Sequence, residues 1–155
     1  MPTVEETIDV EVPVRTAYDQ WTQFEDFPHF MKGVDRITQV SDTLTRWSTS
    51  VGGVDREFDA EIIEQEPDQV VAWRSVDGTS HAGHVSFQPL GPTSTRVTTR
   101  IEWDPDSFVE RVGAVVGADD RQVAKDLERF KEFIESRGSA TGAWRGSVEG
   151  GTPSV

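Results

Sequence analysis

Residues 44–88 read LTRWSTSVGGVDREFDAEIIEQEPDQVVAWRSVDGTSHAGHVSFQ, and the turns inside this stretch decide the fold. Gly52-Gly53 is a two-residue hairpin turn, Pro67-Asp68 reads as a second turn and Asp77-Gly78 opens a third. The runs between them predict four successive antiparallel strands at 44–51, 54–66, 69–76 and 80–88. Turn length fixes pairing, and pairing fixes which side chains share a face. Across Gly52-Gly53, Val51 pairs with Val54, which sets Trp47 opposite Phe58 and Thr45 opposite Ala60. Across Pro67-Asp68, Glu66 pairs with Gln69, which sets Ile62 opposite Trp73. A two-residue turn at Asp77-Gly78 would throw Val85 and Phe87 onto the wrong face. A three-residue loop ending at Thr79 keeps the apolar face continuous, pairing Trp73 with Gly83, Val71 with Val85 and Ser75 with His81. Gly83 then leaves room opposite an indole ring.

Working outward, 34–40 and 95–103 predict flanking strands, with a Pro/Gly/Ser/Thr loop at 89–94. Residues 4–12 alternate as a first strand, with Ile8, Val10 and Val12 on one face. Val14, Ala17, Tyr18 and Trp21 fall at i, i+3, i+4 and i+7, a short amphipathic helix. A second short helix carries Phe24, Phe27, Phe30 and Met31 and ends at Gly33. After the sheet, 108–116 predicts a further short helix. A long one then runs from Asp119-Asp120 to a stop at Gly138, with Val123, Leu127, Phe130 and Ile134 as its apolar stripe. The expected class is α+β: a seven-stranded curved antiparallel sheet wrapped around a long C-terminal helix, with two short helices between strands 1 and 2. The expected division is one domain over 1–138 and a flexible Gly/Ser/Thr-rich tail over 139–155, whose one oddity is Trp144-Arg145.

Composition bounds the function. The net charge of −13 repels phosphate backbones and anionic lipid surfaces, so no nucleic-acid partner is expected. No apolar run approaches the ~20 residues of a spanning helix, and the acidic start lacks the basic and apolar regions of an export signal, so a cytoplasmic location is expected. The absence of cysteine excludes disulfides, zinc-thiolate sites and a cysteine nucleophile. There is no nucleotide-binding glycine motif and no G-x-S-x-G elbow.

The inner face of this sheet is mostly apolar, with polar points at Thr45, Ser75, His81 and Thr99. Such a surface suits a pocket for a hydrophobic small molecule. Phe30, Met31, Trp47, Phe58, Ile62, Trp73, Val85, Phe87, Ile101, Trp103, Leu127 and Phe130 are expected to line or close it, with Ser75, His81 and Thr99 as its polar contacts. Trp73→Ala is expected to weaken binding more than folding. His81 is the one titratable side chain placed inside and the one catalytic candidate. His81 and His84, three apart on a strand, point to opposite faces, so neither a metal nor any other cofactor is expected.

Three segments carry a family resemblance: FPHFMKGV at 27–34, WRSVDG with the following GHVSF within 73–87, and DLERFKEFIESRG at 126–138. With the order of elements over about 4–137, they resemble the START-like, or helix-grip, superfamily that includes the Bet v 1 allergens. More narrowly, they resemble polyketide cyclase/dehydrase-like and coenzyme Q-binding START-like proteins. The tail string TGAWRG at 141–146 is similar to tails of such proteins. The resemblance implies a ligand between the long helix and the concave sheet, an entrance formed by the short helices and 108–116, and ligands such as polyketides, quinones, sterols or other lipids. The cyclases of that group use a Tyr after the FP segment and an Arg and a Ser on the fourth strand. This chain has Val34, Ile62 and Ala60 at those positions, which fits passive binding better than cyclisation. The expectation is therefore a non-catalytic carrier of a lipid, quinone or polyketide. The alternatives are a polyketide cyclase/dehydratase using the same cavity and a protein-interaction module without ligand. The sequence does not fix the oligomeric state.

Overall fold

The computed structural model describes residues 3–31, 34–51, 54–76, 81–103, 120–149 and 152–154. The helix expected at 108–116 and the turn residues 52–53 and 77–80 lie outside them. Strands β1 (Thr3–Val10), β2 (Val34–Gln39), β3 (Leu44–Val51), β4 (Val54–Glu66), β5 (Val70–Ser75), β6 (His81–Gly91) and β7 (Ser94–Trp103) form a sheet in the order β1-β7-β6-β5-β4-β3-β2. Every neighbouring pair is antiparallel. Helix α1 (Val14–Trp21) and a 3-10 helix (Phe24–His29) join β1 to β2, and α2 (Asp120–Arg137) follows the sheet. Among the described residues no helix is long and apolar enough to cross a membrane.

The register follows from the turns. Trp47 pairs with Phe58 and Thr45 with Ala60. Ile62 pairs with Trp73, Trp73 with Gly83 and Val71 with Val85. One turn differs from expectation. Glu66 pairs with Val70 rather than Gln69, because Asp68 adopts φ 65° and a three-residue loop forms, closed by the Gln69 N–H donating to the Glu66 carbonyl at 3.0 Å. Aspartate tolerates this left-handed conformation better than most residues. A bulge between Ile62 and Glu64 absorbs the extra residue and restores the Ile62–Trp73 pair. The loop expected over 89–94 is also shorter. The β6–β7 ladder extends to Gly91–Ser94 across a bulge after Pro89, leaving Pro92-Thr93 as the turn.

Val123, Leu127, Phe130 and Ile134 of α2 are buried, as the stripe requires. The helix ends at Gly138, whose φ of +73° and N–H bond to the Ile134 carbonyl at 2.9 Å make a C-terminal cap. Lys131 Nζ donates to the Asp9 carbonyl, and the Glu11 N–H donates to Glu135, so α2 covers the end of the β1 edge.

Part of the stretch expected to be a flexible tail carries strand structure. Residues 147–149 form β8 (Ser147–Glu149), which pairs with β4 at Glu64–Glu149 and Gln65–Val148 and with β9 (Thr152–Ser154). The cause lies in β4. It is 13 residues long and its pairing with β3 ends at Glu61, so its last turn-ward residues present an open edge. The returning chain fills that edge, and Val148 becomes part of the core.

Candidate functional site

The inner face gathers most of the aromatic residues expected there into one cluster. Trp47 stacks on Phe58 at 5.7 Å and meets Trp73 at 5.7 Å. Phe30 meets Phe130 of α2 at 5.2 Å. Three residues outside the expected set complete the cluster. Phe24 and Phe27 touch both Trp47 and Trp73, and Trp21 bridges Phe27, Phe30 and Phe130. The three-residue spacing of Phe24, Phe27 and Phe30, with Trp21 one helical turn earlier, was the signal that could have placed them. Met31, Ile62, Val85, Phe87, Thr99, Ile101 and Leu127 are buried as well. Phe87 stands apart from the cluster and packs edge-on against Tyr18 of α1 at 5.5 Å. The backbone of Trp103 pairs with His81, while its side chain lies outside the described residues.

The polar points divide into used and unused groups. Thr45 is fully committed: its Oγ1 accepts the Trp47 indole N–H at 2.8 Å and donates to the Ala60 carbonyl at 2.9 Å. Ser75 Oγ accepts the backbone N–H of His81 at 3.0 Å, which anchors the start of β6. His81 Nε2 accepts the Trp73 indole N–H at 3.1 Å, and its ring lies 5.6 Å from both Trp47 and Phe58. Part of the residue reaches the surface, but burial of the ring pushes its pKa down to about 4. The neutral imidazole therefore carries its proton on Nδ1, which is a donor. Thr99 Oγ1 is buried without a hydrogen-bond partner among the described residues.

Val34, Ala60 and Ile62 are buried apolar side chains. His29 is exposed and stacks on Phe133. Among the described residues no three His, Asp or Glu side chains converge as a metal site would require. An open cleft of about 410 Å3 lies where the end of α1, residues 39–42, β4 and the tail meet, with Phe24, Ile62, Gln65 and Trp144 among its walls. Its carboxylates are those of Glu25 and Asp42.

Comparison with known proteins places this geometry. The model of the family described as "Polyketide cyclase / dehydrase and lipid transport" matches residues 10–132. An uncharacterized 17.2 kDa protein from the melC2-rnhH intergenic region of Streptomyces lincolnensis is 57% identical over 149 residues, covering 96% of this chain and 99% of that protein. A crystal structure from Deinococcus radiodurans superposes with a TM-score of 0.72 at 24% identity, covering 88% of this chain and 99% of that one. The Zhui aromatase/cyclase from Streptomyces sp. R1128 gives 0.71 at 17% identity, covering 92% and 99%. A START superfamily protein from Mycobacterium smegmatis gives 0.65 at 16%, covering 87% and 95%. These structural likenesses establish the helix-grip, Bet v 1-like fold.

Proposed function

Since the chain belongs to the polyketide cyclase/dehydrase and lipid transport family, we propose that it binds a neutral, oxygen-bearing hydrophobic molecule between α2 and the concave sheet, and carries it unchanged. Phe30, Met31, Trp47, Phe58, Ile62, Trp73, Val85, Phe87, Ile101, Trp103, Leu127 and Phe130 are its proposed apolar surroundings. The observation that carries this reading is Thr99 Oγ1, a buried hydroxyl with no partner among the described residues. Leaving such a group unpaired costs about 1–3 kcal/mol. A ligand carbonyl or hydroxyl would satisfy it.

His81 supplies the second polar contact. Its Nδ1–H suits an oxygen acceptor, and its low pKa keeps it neutral at pH 7. Thr99 pairs with Val85, four residues along β6 from His81, so the two contacts stand roughly 13 Å apart along the strand. That separation suits an extended ketone, quinone or polyketide. Among the described residues, the inner face offers no cation to a carboxylate headgroup. Ser75 is a third proposed polar contact, its Oγ also accepting the His81 backbone N–H.

The test is a titration with the neutral dye N-phenyl-1-naphthylamine. Saturable fluorescence enhancement, reversed by a naphthoquinone but not by a fatty acid of similar length, is expected. No saturable enhancement, or displacement chiefly by the fatty acid, would contradict the reading.

The second reading is a cyclase or dehydratase with His81 moving protons. The ionisable ring at the inner face and the family favour it. The lone pair of His81 is occupied by Trp73, and the apolar Val34, Ala60 and Ile62 leave no second polar residue beside it at those positions. Turnover of a poly-β-ketone that disappears in His81→Ala while dye binding persists would favour this reading over carriage.

A further inference from the structure

The tail motif TGAWRG is built into the domain at three separate points. Thr141 and Gln20 exchange two bonds, the Thr141 N–H donating to Gln20 Oε1 at 2.9 Å and Gln20 Nε2 donating to Thr141 Oγ1 at 3.1 Å. The Trp144 N–H donates to Thr22 Oγ1 at 3.1 Å, while Gln65 Nε2 reaches the Trp144 carbonyl at 3.3 Å. Arg145 joins Asp19 of α1 at 2.5 Å and Asp68 of the β4–β5 turn at 2.8 Å. Its guanidinium also lies 5.5 Å over the Tyr18 ring.

Tyr18 is fully buried, and its ring also packs edge-on against Phe87 on the inner face of β6. A continuous contact chain therefore runs from the tail to the interior: Arg145, Tyr18, Phe87. We propose that residues 141–149 act as a strap that positions the wall of the interior site, with Arg145 holding Tyr18 and Tyr18 holding Phe87. The proposal rests on the interior-site reading for its effect on ligand, but not for its effect on Phe87. Arg145 is a positioning residue, since it stands outside the interior and acts through Tyr18. The unusual φ of Asp68 serves the same end, because the three-residue turn presents its carboxylate to Arg145.

The experiment compares full-length wild type, Arg145→Ala and Arg145→Lys without ligand, by aromatic-ring NMR and amide hydrogen exchange. In Arg145→Ala the amides of 141–149 exchange faster, the Tyr18 and Phe87 ring signals move, and the Phe58 signals stay. Arg145→Lys, which keeps the charge but loses the planar fork, recovers part of the shift. The dissociation constant for N-phenyl-1-naphthylamine rises about fivefold in Arg145→Ala. Strap amides as protected as in wild type would overturn the strap. Unmoved Phe87 signals with an undocked strap would overturn the positioning. If Arg145→Ala does not fold, Asp68→Asn removes one of the two carboxylates and is read the same way. A wild type that binds no dye contradicts the interior-site reading alone, and the Phe87 signals then decide the strap by themselves.

Discussion

The indole of Trp73 lies against Gly83 of the neighbouring strand so closely that a Cβ at position 83 would stand 2.3 Å from Trp73 Cζ2. The two residues are register partners, so the contact is set by the backbone and cannot be relieved by a rotamer change at 83. Gly83→Ala must displace the indole, which is already packed against Phe24, Phe27 and Trp47. Overpacking of this kind costs about 1–3 kcal/mol. Urea denaturation should show that loss. An unchanged midpoint would mean the indole has space to move into.

Trp73 itself is part of the load on this wall. It is fully buried and donates to His81. Trp73→Ala should lower stability by about 3–5 kcal/mol. Thermal unfolding decides it: a near-native midpoint would mark Trp73 as a pocket residue that the fold does not need.

His81 makes stability depend on pH in a defined direction. Its pKa falls from 6.5 to about 4 on folding because burial disfavours the charged ring. Below 6.5 the unfolded chain therefore binds more protons than the folded one, and stability rises with pH. The contribution is complete above about pH 6.5 and is lost progressively as pH falls through that value toward 4. Its full size is on the order of 3 kcal/mol. Carboxylates titrate in part of the same window, so the comparison is with His81→Gln, whose stability should vary less between pH 4 and 6.5. Parallel curves for the two proteins would show that the ring is protonated as easily folded as unfolded.

Thr99 gives a prediction with opposite signs in the two assays. Replacing an unpartnered buried hydroxyl by a methyl group of the same shape removes an unsatisfied polar atom. Thr99→Val should leave the ligand-free protein as stable as wild type, or more so. The same change should weaken a carbonyl-bearing ligand about tenfold. Destabilisation without any loss of affinity would assign Thr99 to the core alone.

Much of this was legible because hairpin arithmetic is strict. Gly52-Gly53 set Trp47 opposite Phe58, and the need for a continuous apolar face selected the Trp73–Gly83 pairing over the shorter turn. The three-residue turn at Asp68 escaped because its extra residue is cancelled by the bulge after Ile62. Two departures of equal size left the inner face as expected. The tail escaped for another reason. Its Gly/Ser/Thr composition has no periodicity, and the partners of Arg145, Asp19 and Asp68, are surface-type carboxylates far away in sequence. Trp144-Arg145 stands out locally, but the partners that order it are long-range. The state of the polar interior groups was equally hidden. Thr45 and Thr99 look alike as sequence, and only the fold separates the hydroxyl bonded to Trp47 and Ala60 from the one without a partner among the described residues.

The interior site is tested most directly by native mass spectrometry of the freshly purified protein, with solvent extraction and identification of whatever is released. A stoichiometric neutral molecule bearing carbonyl or hydroxyl oxygens, reduced in Thr99→Val, is the expected result. A protein of single, unliganded mass that also fails to take up naphthoquinone would contradict a ligand site between α2 and the sheet.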